Sequence, residues 1–285
     1  MFTYVHGPGR GRLRYVVYAI ETTIMADMPP MREYARHSGV GLRRRLYLAC
    51  RAGIALVPTA CVLCQGSAKG GGLCANCAAA VLHSMQHNGL RCPACCLALG
   101  RHNACPDCCL RQPAFDRVIA AFDYAEPGDL LIHYFKVGRR FTSAGMLAGL
   151  LARTVRDATP ALPANTILVP VPASRSSIIE RGFNPAAEVA RSLARQLDLS
   201  CRPELLLRVQ EGSRQTRLNR TDRLHSVQSL YACPQRVAGA AIAVVDDVLT
   251  TGSTLHSIAQ QFKAAGAASV LGLVLARTPY IAEAL

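Results

Sequence analysis

The distribution of apolar residues changes character near residue 115. Beyond it, short apolar runs alternate with longer amphipathic stretches. Residues 116–124, 166–169, 241–245 and 269–276 read as strands, and residues 127–137, 141–157, 185–197 and 255–265 as helices. Five consecutive apolar residues, 241–245, leave no polar face, which suits a strand buried on both sides of a parallel sheet. Strands alternating with helices are the pattern of an α/β domain. Pro160 and Pro163 break the chain before the strand at 166–169, Asn184 and Pro185 supply an N-cap and a first-turn residue, and Gly266 supplies a C-cap. Upstream the pattern is poorer. Residues 46–57 form a short apolar segment ending at Pro58, which predicts a helix beneath the region that follows. Residues 1–45 show no sustained periodicity and read as a loose tail, or as residues ahead of a later start at Met25, Met28 or Met31. The chain therefore divides into a tail (1–45), a cysteine-rich region (46–112) and an α/β domain (113–285).

The strand at 241–245 is predicted to end at two adjacent carboxylates, Asp246 and Asp247. Burying unpaired charge costs several kcal/mol, on the order of what few contacts recover, so packing alone does not place them there. A polar ligand in a cleft at the strand's C-terminal end does. The chain continues through Thr250, Thr251, Gly252, Ser253 and Thr254 into a helix. Such a turn offers backbone N–H groups, hydroxyls and the positive end of a helix dipole to an anion. Ionised carboxylates accept hydrogen bonds only, so their natural partners beside a phosphate are sugar hydroxyls, and a phosphorylated ribose fits both halves. A second loop points to the same cleft: the strand at 166–169 runs into Pro170, Val171, Pro172, Ala173, Ser174 and Arg175, stopping abruptly with Arg175 at the sheet's edge. Arg181 follows in the run Arg181-Gly182-Phe183-Asn184.

Residues 61–108 carry an internal repeat. Cys61-x2-Cys64, nine residues, Cys74-x2-Cys77 is followed by Cys92-x2-Cys95, nine residues, Cys105-x2-Cys108, the second set displaced by 31 residues at every position. Each Cys-x2-Cys knuckle aims two sulfurs at one metal, and two knuckles complete the four-thiolate shell of structural zinc. Disulfides would need an oxidising compartment of which the sequence bears no sign. The spacing leaves open whether sequential knuckles form tandem ribbons or alternate pairs form a cross-braced module.

Composition refines this picture. No apolar run approaches the eighteen or so residues of a membrane span, and the N-terminus has no signal-peptide stretch, which predicts a cytoplasmic protein. The net charge is +14, and residues 1–115, with 13 basic and 4 acidic residues, hold +9 of it. Two zinc ions bound by eight thiolates would lower that region to roughly +5 and the chain to roughly +10. The chain would still attract polyanions. Arg214, Arg217, Arg220 and Arg223 recur every three residues; they read either as a solvated surface or as a contact for pyrophosphate or nucleic acid.

Cysteine knuckles, Pro170-Val171-Pro172, Arg181-Gly182-Phe183-Asn184 and Asp246-Asp247-Val248-Leu249-Thr250-Thr251-Gly252-Ser253-Thr254, in that order, together resemble the ComF family of double-zinc-ribbon, phosphoribosyltransferase-like proteins. The match covers about residues 46–277 and extends to Lys136, Gln215, Leu218 and Arg223; the family has asparagine where Ser226 stands. The resemblance implies a four- or five-stranded parallel Rossmann-like sheet of the type I phosphoribosyltransferases, with helices on both faces and a hood, preceded by a zinc module. It implies that Asp246 and Asp247 hold the ribose hydroxyls of phosphoribosyl pyrophosphate (PRPP), that Thr250, Thr251, Gly252, Ser253 and Thr254 hold its 5'-phosphate, and that residues 172–175, with Ala173, Ser174 and Arg175, form the pyrophosphate loop near Arg181. Mg2+ would accompany PRPP. It further implies a part in DNA uptake during natural transformation, with single-stranded DNA and uptake-machinery proteins as partners and a peripheral place at the inner membrane. Three readings stay open: a PRPP-recognising accessory protein for DNA uptake, an active phosphoribosyltransferase, and a zinc-ribbon scaffold with a silent α/β domain.

Overall fold

A computed structural model describes residues 53, 56–70, 72–87, 89–99, 104–137, 143–209 and 230–280 of the 285-residue chain. The predicted tail, most of the apolar segment at 46–57 and the arginine series with Gln215, Leu218 and Ser226 lie outside the described residues.

Five parallel strands form the central sheet: β3 (Arg117–Asp123), β4 (Ile167–Pro170), β5 (Ser200–Cys201), β8 (Ala241–Leu249) and β9 (Ser269–Arg277), in the spatial order β3-β9-β8-β4-β5. Two short hairpins lie outside it, β1 (Pro58–Ala60) with β2 (Ser67–Lys69) and β6 (Leu207–Arg208) with β7 (Tyr231–Ala232). The sheet is five-stranded, at the upper end of the expected count; the two-residue β5 and both hairpins are too short to leave a periodic signal.

Burial follows the pleat. Ala243 and Val245 of β8 face one core together with Leu131, Ile132 and Phe135 of α3 (Gly128–Val137), Leu147 and Leu151 of α4 (Ala144–Asp157) and Val189 and Leu193 of α6 (Pro185–Leu197). Ile242 and Val244 face the other, against Leu255, Ile258 and Phe262 of α7 (Ser253–Ala264). That second face is completed by Cys92, Cys95, Leu97 and Cys105 of the cysteine repeat, so the repeat closes one side of the sheet's own core. Helix α7 ends as expected, with Gly266 at φ 95° and hydrogen bonds from its N–H to the Lys263 carbonyl and from the Ala267 N–H to that of Phe262.

Two boundaries differ from the sequence expectation. Strand β8 does not stop at Val245 but runs through Asp246 and Asp247 to Leu249, because β9 continues to pair with it as far as Leu249 opposite Arg277. Helix α7 begins at Ser253 rather than at residue 255, so Ser253 and Thr254 lie in its first turn.

The connection leaving β4 returns on the β5 side, and the one leaving β8 returns on the β9 side. The C-terminal ends of these two neighbours are thus the switch point of the sheet, where parallel α/β folds open a crevice.

Candidate functional site

Two short loops meet at the switch point. Strand β4 is held to β8 by parallel pairing of Pro170 with Val245, and the Val171 N–H donates to the Val245 carbonyl at 2.9 Å. This roots the loop that carries Ala173, Ser174 and Arg175 at the point of β8 that Asp246 and Asp247 follow. Ser174 caps α5 (Arg175–Arg181), accepting from the Ser177 N–H at 3.1 Å and sharing hydroxyl contacts with Ser176 (3.0 Å) and Ser177 (2.8 Å). Asn184 ties this loop down: its amide donates to the Val171 carbonyl at 3.0 Å while its oxygen accepts from the Ala186 N–H at 3.1 Å to cap α6. Arg175 is exposed at the first turn of α5, and Arg181 is half-buried in its last turn, before Gly182 at φ 82°.

In the second loop, Gly252 takes φ 78° with the Phe115 ring 3.6 Å from where a Cβ would stand, which folds Thr251 back over the start of α7. The hydroxyls of Thr251 and Ser253 share a 2.7 Å hydrogen bond, and Thr250 is exposed. The first helical hydrogen bond runs from the His256 N–H to the Gly252 carbonyl at 2.8 Å, so the N–H groups of the preceding turn have no helical acceptor below them. Such a turn suits a phosphate.

The two carboxylates differ. Asp246 Oδ1 accepts from the Asp247 N–H at 2.8 Å, whereas Asp247 Oδ2 pairs with the Lys136 ammonium of α3 at 2.9 Å. Burial, together with the Asp247 charge, pushes Asp246 up to about 7. Ionisation of Asp246 is therefore opposed up to neutral pH, a cost that sugar hydroxyls donating to the carboxylate would offset. Lys136 was legible only through family resemblance, because a lone lysine on an amphipathic helix gives no local signal. Tyr231 was not legible at all: it is buried on β7 and accepts from Arg208 at 3.2 Å, and burial first, with the Asp246 charge adding, raises its hydroxyl against the pull of Arg208.

The eight repeat cysteines form two clusters in sequential order, Cys61 with Cys64, Cys74 and Cys77, and Cys92 with Cys95, Cys105 and Cys108, each with its sulfurs within 4.8 Å of one another. This resolves the pairing that the spacing left open, in favour of tandem knuckles. A tetrahedral zinc–thiolate shell with bonds of about 2.3 Å separates its sulfurs by about 3.8 Å. Cys64–Cys74 at 3.7 Å, Cys92–Cys108 at 3.7 Å and Cys95–Cys105 at 3.5 Å fit that shell and are far too long for disulfides. Burial pushes Cys61 up, but backbone hydrogen bonds at Cys64, Cys74 and Leu63 outweigh it and bring the thiol down to about 6, while hydrogen bonds with Cys74 and Cys64 push Cys77 up to about 12.

The second cluster abuts the phosphate-suited loop. A small pocket between them is lined by Cys95, Asp107, Cys108, Thr251, Ser253 and His256. Two of these residues, Cys95 and Asp107, are hydrogen-bonded to Arg277, the last residue of β9 and fully buried. No periodic pattern marks Arg277, since it terminates an apolar run that reads as complete without it.

No family model matches the sequence. The chain is 33% identical over 227 residues to the DNA utilization protein YhgH of Salmonella typhi, covering 78% of this chain and 98% of the relative. It is 29% identical over 222 residues to competence protein F of Haemophilus influenzae, covering 76% and 90%. With competence protein ComFC of Bacillus subtilis it shares 35% identity over 113 residues, 39% of this chain and 45% of the relative. Among solved structures, a hypoxanthine phosphoribosyltransferase of Trypanosoma cruzi aligns over 52% of this chain and 73% of that one at 18% identity with a TM-score of 0.31, too low to bear on function.

Proposed function

The chain belongs to the ComF family, and from that premise we propose that it recognises PRPP or a related ribose phosphate at the switch-point cleft and takes part in DNA uptake during natural transformation. The observation that carries the ligand reading is the side-by-side placement of the Asp246–Asp247 pair and the Thr250–Thr254 turn at the C-terminal end of β8, with the Ala173–Arg175 loop of β4 against them. In this reading Asp246 and Asp247 accept from the ribose hydroxyls, and Thr250, Thr251, Gly252, Ser253 and Thr254 surround the 5'-phosphate. Ala173, Ser174, Arg175 and Arg181 face the diphosphate. Mg2+ bound with PRPP supplies neutralisation of the diphosphate charge. Lys136, paired with Asp247 at 2.9 Å, orients that carboxylate toward the cleft. The DNA role is supported by the names carried by the relatives and by a formal net charge of +14 that stays at roughly +10 with two zinc ions bound, which favours association with polyanions. The two cysteine clusters hold structural zinc, two ions per chain.

The test is calorimetric titration of the zinc-loaded protein with PRPP and Mg2+, beside Asp246→Ala/Asp247→Ala. Binding by the native chain is expected, with loss of at least about a hundredfold in affinity in the double variant and an unchanged melting midpoint, because the removed groups face the ligand. Unaltered binding would sink the assignment. Since the ionised form of Asp246 accepts the hydroxyls, native affinity should rise between about pH 6 and pH 8, and this part of the pH dependence should vanish in Asp246→Asn.

A second reading, favoured by the Asp246–Asp247 pair and the Thr250–Thr254 turn standing at one strand end, is turnover of PRPP. Release of pyrophosphate from PRPP with a panel of nucleophiles tests that reading.

A further inference from the structure

Arg277 spends all three guanidinium nitrogens on two features that are far apart in sequence. Nε donates to the Cys95 carbonyl at 2.9 Å, and Nη2 donates to Asp107 Oδ2 at 2.8 Å with the Cys95 sulfur 3.7 Å away. Nη1 donates to the carbonyls of Leu249 at 3.2 Å, Thr278 at 3.0 Å and Thr250. One side of this fan is the second cysteine cluster: Cys95 is one of its ligands, and Asp107 lies between the ligands Cys105 and Cys108. The other side is the entry to the Thr250–Thr254 turn, where β8 ends. The Leu249 carbonyl also accepts from the Thr278 N–H at 2.9 Å, so the guanidinium and the β9 exit hold the same strand end.

We infer that Arg277 is a positioning residue that couples metal occupancy of the second cluster to the shape of the Thr250–Thr254 turn, so that metal and ribose phosphate bind this chain cooperatively; the inference rests on the phosphate-site reading above. The physical argument has three parts. A fully buried guanidinium must have its charge and its donors satisfied, because leaving them unmet costs several kcal/mol, roughly the scale of a broken buried pair. Its acceptors on the cluster side are Asp107, the Cys95 carbonyl and the Cys95 sulfur, all of whose positions are fixed when the cluster holds a metal. Release of the metal frees both knuckles, removes the fixed positions of these three acceptors and leaves Arg277 to re-pair. The groups nearest to it are the carbonyls at the root of the turn. The first cluster has no such route, since none of its cysteines contacts Arg277 or the turn among the described residues.

Coupling is reciprocal, so the unmodified protein can be tested from the metal side. Release of zinc into a chromogenic chelator is followed with and without saturating PRPP and Mg2+, under conditions where calorimetry has established binding. The cysteines freed are identified by alkylation and mass spectrometry. One of two zinc equivalents should leave at least about fivefold more slowly in the presence of PRPP, with Cys92, Cys95, Cys105 and Cys108 protected, while release from Cys61, Cys64, Cys74 and Cys77 keeps its rate. Arg277→Lys, which keeps the charge but loses the fan of donors, should hold two zinc ions, bind PRPP about tenfold or more weakly and lose the differential protection. Should that variant fail to fold, the native release rates decide alone. PRPP binding with both equivalents leaving at unaltered rates overturns the coupling. Retained protection in folded Arg277→Lys overturns the role of Arg277. A native chain that binds no PRPP overturns the phosphate-site reading, and the coupling falls with it.

Discussion

The two four-cysteine units are the same object built twice and used differently. Their backbones agree at matching positions of the 31-residue offset through the first knuckle and the start of the helix. Ala60 pairs with Ser67 as Arg91 bridges Ala98, the Cys61 N–H reaches the Gly66 carbonyl as that of Cys92 reaches Leu97, and Gln65 and Cys96 take φ 60° and 59°. Helices α1 (Ala75–His87) and α2 (Pro106–Leu110) begin at equivalent positions. The difference lies in three side chains facing outward from the knuckle. Where the first unit has Ala60, Gln65 and Gly66, the second has Arg91, Cys96 and Leu97. Arg91 grips Asp123 at the end of β3 with two bonds of 2.9 and 2.7 Å, the Cys96 thiol donates to the Val118 carbonyl at 2.8 Å, and Leu97 is fully buried. The first unit keeps Cys64 exposed; the second buries Cys92, Cys95 and Cys105. A metal knuckle specifies its own loop whatever lies beneath it, so the residues outside the loop were left to decide how the unit docks: the first packs Val62, Leu63 and Leu73, with Val81 of its helix, against one face of the sheet, and the second lays its own cysteines into the core of the other.

The largest test of that contrast removes a ligand from each unit. Cys105→Ser should lower the melting midpoint by about 10 °C or more, since it removes a metal and opens the core face of the sheet, and Cys74→Ser by less than about half as much. Equal losses would mean that both units are integral. A smaller effect is expected at Arg91. Arg91→Ala takes two charge-assisted bonds from the buried Asp123 and should cost about 3 kcal/mol in urea unfolding, whereas Ala60→Ser should stay within about 0.5 kcal/mol. A cost below about 1 kcal/mol at Arg91 would show that the grip is not what docks the second unit. The smallest effect belongs to Cys96→Ala. Losing its thiol hydrogen bond should cost about 1 kcal/mol or less, and Gln65→Ala, at the same left-handed backbone position, close to nothing, so that the strain common to both cancels.

Legibility from sequence followed the range of the interactions. The cysteine repeat and the Asp246 to Thr254 stretch were readable because metal knuckles and phosphate turns are set by residues within about a dozen positions of one another. Asn184 was readable as a cap for the same reason, though its second bond, to Val171, was not. The end of β8 was misjudged at Val245 because a carboxylate pair marks a strand's exit only when no neighbour continues to pair, and β9 does. Lys136 and Asp247, Arg91 and Asp123, and Arg277 and Cys95 are pairs whose members each look ordinary in their own segment.

The sequence by itself thus determined the α/β class, the two four-cysteine units and the run of strand, carboxylate pair, hydroxyl-rich turn and helix from Ala241 onward, all of which arise from local spacing and local periodicity. Only the tertiary structure decided that the knuckles pair in tandem, that the second unit closes a face of the sheet, and that Arg277 joins it to the turn after β8. The reason is physical: burial of a charge is a property of everything packed around it, and the acceptors that make the buried Arg277 tolerable are brought together from as far as 182 residues away.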